Sequence, residues 1–310
     1  MSSHQVMART LLAAAALAAA GLMLQAAPAR AAAAAITSCG ATQNVGPTSL
    51  NTVLKNNNGC RILLMAGGSY PSFNITKHSG GVLTMRCVGP GACTFKPNNR
   101  ATGVDGLIID GMDVTGGSNG LYVRGKNVRV QNSTFTEQTS SGLTVIPGTQ
   151  SDNIQIHNNT FHNDKLGCDY TNPSNCSGYL SDGTPVSEMD YGIRIHDTNY
   201  VEIVGNTFTS VFNHAISIKY SVVSSLIQGN NFQSCGRGCI DFGQESPAST
   251  EGTITGNTFG SYRKTGVNVR WMKRSVITGN TFARSSGGTV KVISVPMSRV
   301  IVQSPNTLLQ

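Results

Sequence analysis

The segment Gly192-Ile193-Arg194-Ile195-His196 sets a guanidinium and an imidazole two residues apart, and matching segments further on supply Lys219 and Arg270. Residues two apart on a strand share a face, so these cations belong to one surface. Such a set suits removal of a proton beside a carboxylate. That step is difficult until the carboxylate is neutralised, since the carbanion adds charge to an existing anion. Arg194 and Arg270 stay protonated and can grip a carboxylate with two hydrogen bonds. His196 offers a base near neutrality. Lys219 offers a second acid/base group once its cationic neighbours and a bound sugar depress its pKa.

Aligned with their counterparts, these residues fall in two outward columns. The first is Tyr122, Thr144, Arg194, Ser217, Asp241 and Asn268; the second is Arg124, Ile146, His196, Lys219, Gly243 and Arg270. Four of the six residues in the second column are Arg, His or Lys, which makes a cationic stripe. Tyr122, Arg124, Ser217, Asp241 and Asn268 are the candidate binding residues beside the catalytic four. Stacked like charges repel, so the structural account of the stripe is a solvated face tuned against edge pairing, with Asp241 neutralising part of it between Lys219 and Arg270. The functional account is a track for the successive carboxylates of a polyuronate. Hydrolysis of a glycoside needs two carboxylates across the scissile bond, and here only Asp241 lies on the stripe, with Asp197 at a strand end.

The elements that must hold these residues repeat. Phenylalanines recur at Phe135, Phe161, Phe208, Phe232, Phe259 and Phe282, at spacings of 26, 47, 24, 27 and 23. A period of that size signals a solenoid. Five residues before each comes Val130, Ile156, Ile203, Ile227, Ile254 or Ile277, and two before comes Ser133, Asn159, Asn206, Asn230, Asn257 or Asn280. The polar set predicts a side-chain ladder at a turn. Ahead of each turn lies an alternating strand: Leu121/Val123, Leu143/Val145, Ile193/Ile195, Ile216/Ile218, Ile240/Phe242 and Val267/Val269. Their period of two sends these side chains into one core. Leucine-rich, ankyrin and tetratricopeptide signatures are missing, which predicts an all-β parallel β-helix. Pro47 to Leu54, with Leu50, Val53 and Leu54 on one face, predicts a short N-terminal capping helix ahead of first strands at Arg61–Met65 and Phe73–Ile75.

Residues 1–31 read as a secretory signal: Arg9, an apolar run from Leu11 to Leu24, and Ala29-Arg30-Ala31. Residues 32–310 then form one domain of an exported protein, secreted or periplasmic, without a membrane span. Loss of Arg9 and Arg30 takes the formal charge from +8 to +6, and a basic exported protein points to an acidic polysaccharide rather than nucleic acid. Eight cysteines suit an oxidising compartment, and their spacing suggests Cys39 with Cys60, Cys87 with Cys93, Cys168 with Cys176 and Cys235 with Cys239. The 47-residue interval carries an inserted loop, 162–189, whose Asp164, Asp169, Asp182 and Glu188, with Asp190 next to it, could help hold calcium. Ordinary loop solvation is the competing reading. His157, His162 and His214 read as surface residues in turns, and Tyr220 and Trp271 as turn packing. No phosphate loop, nucleophile elbow or metalloprotease helix is visible, and a monomer is expected.

These repeats resemble the right-handed parallel β-helix superfamily of polysaccharide lyases and C5-epimerases over essentially all of residues 32–310. Tyr191 to Asp197 resembles the epimerase segment with an Asp-Pro-His-Asp motif at His196 and Asp197, while Arg194 and Ile195 depart from it. His214 to Lys219, followed by Asn230-Asn231-Phe232, is similar to the alginate and chondroitin lyase pattern of a Lys before an Asn-rich turn. That resemblance implies β-elimination by Lys219 with an Arg on a neighbouring strand, often with calcium. The aligned position one coil on is Gly243, and Arg270 stands two coils away. The expected function is therefore a polyuronate lyase. A C5-epimerase and a non-catalytic glycan-binding or cell-surface protein are the alternatives.

Overall fold

A strand that alternates apolar and polar residues must bury one face, and copies of it 22 to 27 residues apart, save across the insertion, do so most simply by lying side by side in one direction. In the computed structural model they do. Residues 35–55, 59–89, 93–146, 151–163, 189–242, 251–262, 265–270, 274–283, 291–294, 300–302 and 305–309 are described. The signal segment, Cys168, Cys176, Gly243, Trp271 and nearly all of the 162–189 insertion lie outside the described residues.

Leu121, Leu143, Ile193, Ile216, Ile240 and Val267 are parallel register partners from one coil to the next. So are Val130, Ile156, Ile203, Ile227, Ile254 and Ile277. The phenylalanines form a third such row. Each coil thus has three faces, and the chain is a right-handed parallel β-helix, the hand expected of parallel crossovers. All twelve alternating residues ahead of the turns are buried, as are the six β-branched residues and the six phenylalanines.

The corner between the second and third faces is made by the predicted ladder. The Asn206 carboxamide oxygen accepts from the Asn159 backbone N–H (2.9 Å) and Nδ2 (3.0 Å), and Asn206 Nδ2 donates to Ile156 O at 2.8 Å. Asn230, Asn257 and Asn280 repeat the pattern. Beneath it, the phenylalanine rings stack with centroids 5.1, 5.0, 5.0, 4.8 and 4.4 Å apart. Buried polar backbone and apolar core are therefore satisfied by one repeating unit.

At the N-terminal end, the helix Leu50–Leu54 buries Leu50 and Leu54, as predicted. Ahead of it the strand Ala41–Val45 pairs with Arg61–Met65. The strands predicted from Arg61 onward do not include it, because Ala-Thr-Gln-Asn-Val carries no apolar alternation. Three predicted disulfides form: Cys39–Cys60, Cys87–Cys93 and Cys235–Cys239.

Candidate active site on the first face

The residues that place the site are small ones. Each first-face strand carries Gly120, Gly142, Gly192, Ala215, Cys239 or Gly266 just before its first large core residue. A Cβ on Gly192 would lie 2.8 Å from ring carbons of Phe208, and one on Gly142 would lie 2.6 Å from Phe161. The small residue therefore faces the phenylalanine stack together with the apolar residue after it. Strict alternation breaks at this point, and the residue ahead of the small one turns to the outer face. There stand Tyr191 and His214, register partners on adjacent strands. Both were missed in the sequence, where a period of two sends Tyr191 inward and where His214 read as a surface turn residue. His214 instead opens the strand His214–Gln228 and is buried, 7% exposed. The recurring small residue is the signal that locates both.

The first predicted column holds its register, and the second does so at its central step. Tyr122, Thr144, Arg194, Ser217, Asp241 and Asn268 are successive partners, and His196 lies opposite Lys219. Arg194, His196, Ser217 and Lys219 share two adjacent strands, and Asp241, Asn268 and Arg270 follow on the next two, the last about 14 Å from the Arg194 strand by strand spacing. Tyr122 and Arg124 lie the other way along the sheet: Tyr122 is two strands from Arg194, about 9.6 Å by strand spacing, and the Arg100 guanidinium lies over its ring at 5.0 Å. Several outward residues are closely covered, with Ser217, Asp241, His196 and Thr144 all buried.

Asp241 anchors one end. Its Oδ1 accepts from Asn268 Nδ2 at 2.7 Å and from Arg270 Nη2 at 2.9 Å, and Oδ2 lies 3.1 Å from the same Nη2. His214 Nε2 stands 4.0 Å from Oδ2. A buried carboxylate needs such partners. The Arg270 charge, predicted to grip substrate, is thus shared with Asp241, as the structural account of the stripe anticipated.

The other end is cationic. The Arg194 guanidinium lies 5.2 Å and the Lys219 ammonium 5.8 Å from the centre of the Tyr191 ring. Asn213 Nδ2 donates to the Tyr191 hydroxyl at 3.3 Å, and the His214 ring stacks on Tyr191 at 6.3 Å. Burial raises the Tyr191 phenol pKa, with Arg194 opposing. Burial likewise raises Asp190, again opposed by Arg194. His196 is lowered to about 4, first by burial and then by Arg194 and Lys219. It is thus a neutral imidazole at neutral pH, free to accept a proton but a weaker base than the near-neutral one predicted, because burial and two cations oppose its charged form. His214 is lowered to about 4 mainly by burial, with Asp241 opposing and Arg237 and Lys219 reinforcing.

Next to His196 the chain turns its corner through Asp197 (φ 42°), whose carboxylate accepts from the Ser221 N–H at 3.2 Å, and through Tyr220 (φ 62°). A left-handed tyrosine is unusual. Its ring lies 5.1 Å from His196 and fixes one side of the imidazole. His157 and His162 end strands rather than lying in turns, and His157 sits 3.7 Å from Glu202 on the second face, away from this site.

Residues 92–287 match the family model described as periplasmic copper-binding protein (NosD). Among solved structures the chain is similar to pectate lyase Pel9A, with a TM-score of 0.58 and 14% identity, covering 86% of this chain and 80% of that one. It is also similar to the PL6 family alginate lyase AlyGC, with a TM-score of 0.51 and 14% identity, covering 87% of this chain and 39% of that one. At such identity the likeness is one of fold. No curated protein matches.

Proposed function

This chain belongs to the NosD family, and from its first face we propose that it is an exported protein that binds an acidic polysaccharide and cleaves it by β-elimination. The observation that carries the reading is the juxtaposition of His196 and Lys219 as register partners, with Arg194 on the His196 strand.

In this reading Arg194 neutralises the uronate carboxylate, which lowers the barrier to losing the neighbouring C5 proton. The neutral His196 ring takes that proton. The electron pair forms the C4–C5 double bond, the C4–O4 bond breaks, and Lys219 delivers a proton to the departing O4. Arg270, steadied by Asp241, lines a further sugar position with Asn268, and Tyr122 and Arg124 extend the track, while Ser217, predicted to bind, is fully buried and is left out of it. A hydrolase is disfavoured, since the site's central carboxylate is already engaged by Arg270 and Asn268.

The family description names copper, and a periplasmic setting agrees with an exported chain and with its disulfides. Copper sites draw on imidazole, thiolate and thioether donors. Among the described residues no group of three or more His, Cys, Asp or Glu could hold a metal ion. The cysteines of the three disulfides are tied up, and His214 and Asp241 are only a pair. The described His, Cys, Asp and Glu side chains do not gather into a copper centre, and the proposed reaction uses none. Among the described residues no helix is long and apolar enough to cross a membrane.

The test is the ultraviolet absorbance of unsaturated uronate while the protein meets a panel of polyuronates, with and without calcium. A rise that His196→Ala and Lys219→Ala abolish, with binding spared, supports the reading. Arg194→Ala should weaken binding. A flat trace with solvent-proton exchange at C5 would make the protein an epimerase, and binding without either would make it a glycan-binding protein.

A further inference from the structure

Arg194 and Lys219 stand on neighbouring strands and carry like charge, an arrangement that sheets avoid. Arg270 differs from both, since it pairs with Asp241, which takes up its charge. Tyr191 offers a different solution. Its ring has both cations within 5.8 Å of its centre, and the negative ring face attracts each of them without neutralising either.

We infer that Tyr191 is a positioning residue that draws the Arg194 guanidinium and the Lys219 ammonium together over one aromatic ring, so that both charges converge on a single carboxylate of the substrate. This deepens the proposed reading and rests on it for the nature of the ligand. The ring is itself held, by Asn213 on its hydroxyl and by the His214 ring stacked on it at 6.3 Å. Gly192, the next residue, leaves its inward side to the Phe208 ring, where a Cβ would lie 2.8 Å from ring carbons. A carboxylate gripped by a fork on one side and a point charge on the other suits a uronate, and a neutral sugar would gain little from it. Lys219 is thereby held beside the carboxylate of the residue whose leaving oxygen it protonates.

The experiment compares Tyr191→Phe, which keeps the ring, with Tyr191→Leu, which removes it, and with Tyr191→Gln should the leucine variant fail to fold. Two readouts are taken: KM and kcat on the polyuronate that the native protein cleaves, and the NMR titration midpoint of His196 without ligand. The midpoint reports where the two cations lie, since Arg194 and Lys219 both lower it. Loss of the ring should raise KM about tenfold, the scale of a cation–π contact in a covered site, with a smaller fall in kcat, and should shift the His196 midpoint. Tyr191→Phe should retain most of the affinity and keep the midpoint near 4. An unmoved midpoint and KM in Tyr191→Leu would overturn the inference, as would equal damage in Tyr191→Phe, which would assign the effect to the hydroxyl. If the native protein cleaves no polyuronate, the proposed reaction falls, and the midpoint alone still decides the role of Tyr191.

Discussion

Asp241 and Arg270 are joined across a steep difference in solvation: the carboxylate side chain is 3% exposed and the guanidinium side chain 35%, with Nη2 2.9 Å from Oδ1. The two partners should therefore respond unequally to removal. Arg270→Ala leaves a buried carboxylate with Asn268 as its closest donor and should cost about 3 kcal/mol, the range for orphaning a buried charge. Asp241→Asn keeps the shape and lets Arg270 turn to water, and should cost about 1 kcal/mol. Denaturant unfolding of both variants at neutral pH would check the order.

The asparagine ladder predicts a second asymmetry, between the middle and the end of the row. Asn206→Ala would strip Asn159 of an acceptor and Ile156 O of a donor, both buried. Each orphaned group costs about 1–3 kcal/mol, so the variant should lose several kcal/mol or fail to fold. Asn306 is itself partly exposed, so Asn306→Ala opens bonds to the Asn280 N–H and Ile277 O that are only partly buried, brings water to them, and should lose less than half as much. Thermal unfolding of the pair tests this.

The repeats made most of this fold legible. Apolar alternation and the fixed distance from each phenylalanine to its asparagine follow from the backbone geometry of a coil, so Ile193, Asn206 and Phe208 could be placed from spacing alone. The register of Arg194, His196 and Lys219 followed from the same alignment. Tyr191 and His214 did not, since their direction depends on Gly192 and Ala215 yielding room to a ring from another face, a tertiary effect that a period of two cannot express. Nor did sequence reveal how deeply Ser217 and Asp241 sink: outward direction on a strand says nothing about the height of flanking side chains.

Three histidines bear on acid stability. His157, His196 and His214 are each lowered from 6.5 to about 4, all three mainly by burial. The unfolded chain takes up these protons near pH 6.5, whereas the folded chain refuses them until about pH 4. Stability from these groups is therefore complete above 6.5 and falls as pH drops through that window. Asp113 and Asp190, raised by burial, act in the opposite sense at the acid end. The denaturation midpoint should fall between about pH 7 and about pH 5, and His157→Gln should flatten the slope. A midpoint that rises over that range would contradict the burial of these rings.

Gly192 links the core to the site and gives the sharpest packing test. A Cβ there would meet Phe208 ring carbons at 2.8 Å and the Ala215 carbonyl oxygen at 2.8 Å. Gly192→Ala should therefore destabilise by about 1–3 kcal/mol, as overpacked cores do. Phe208→Leu on its own interrupts the ring stack and leaves a void, with a loss of similar size. Combined, the smaller side chain at 208 makes room for the new methyl, and the double variant should be more stable than the sum of losses by about 1 kcal/mol, a coupling expected only between residues in contact. The Ala215 oxygen stays in place, so the recovery is partial. Strict additivity in the double-mutant cycle would mean that the ring does not require the glycine, and the outward turn of Tyr191 would then need a cause other than the Phe208 ring.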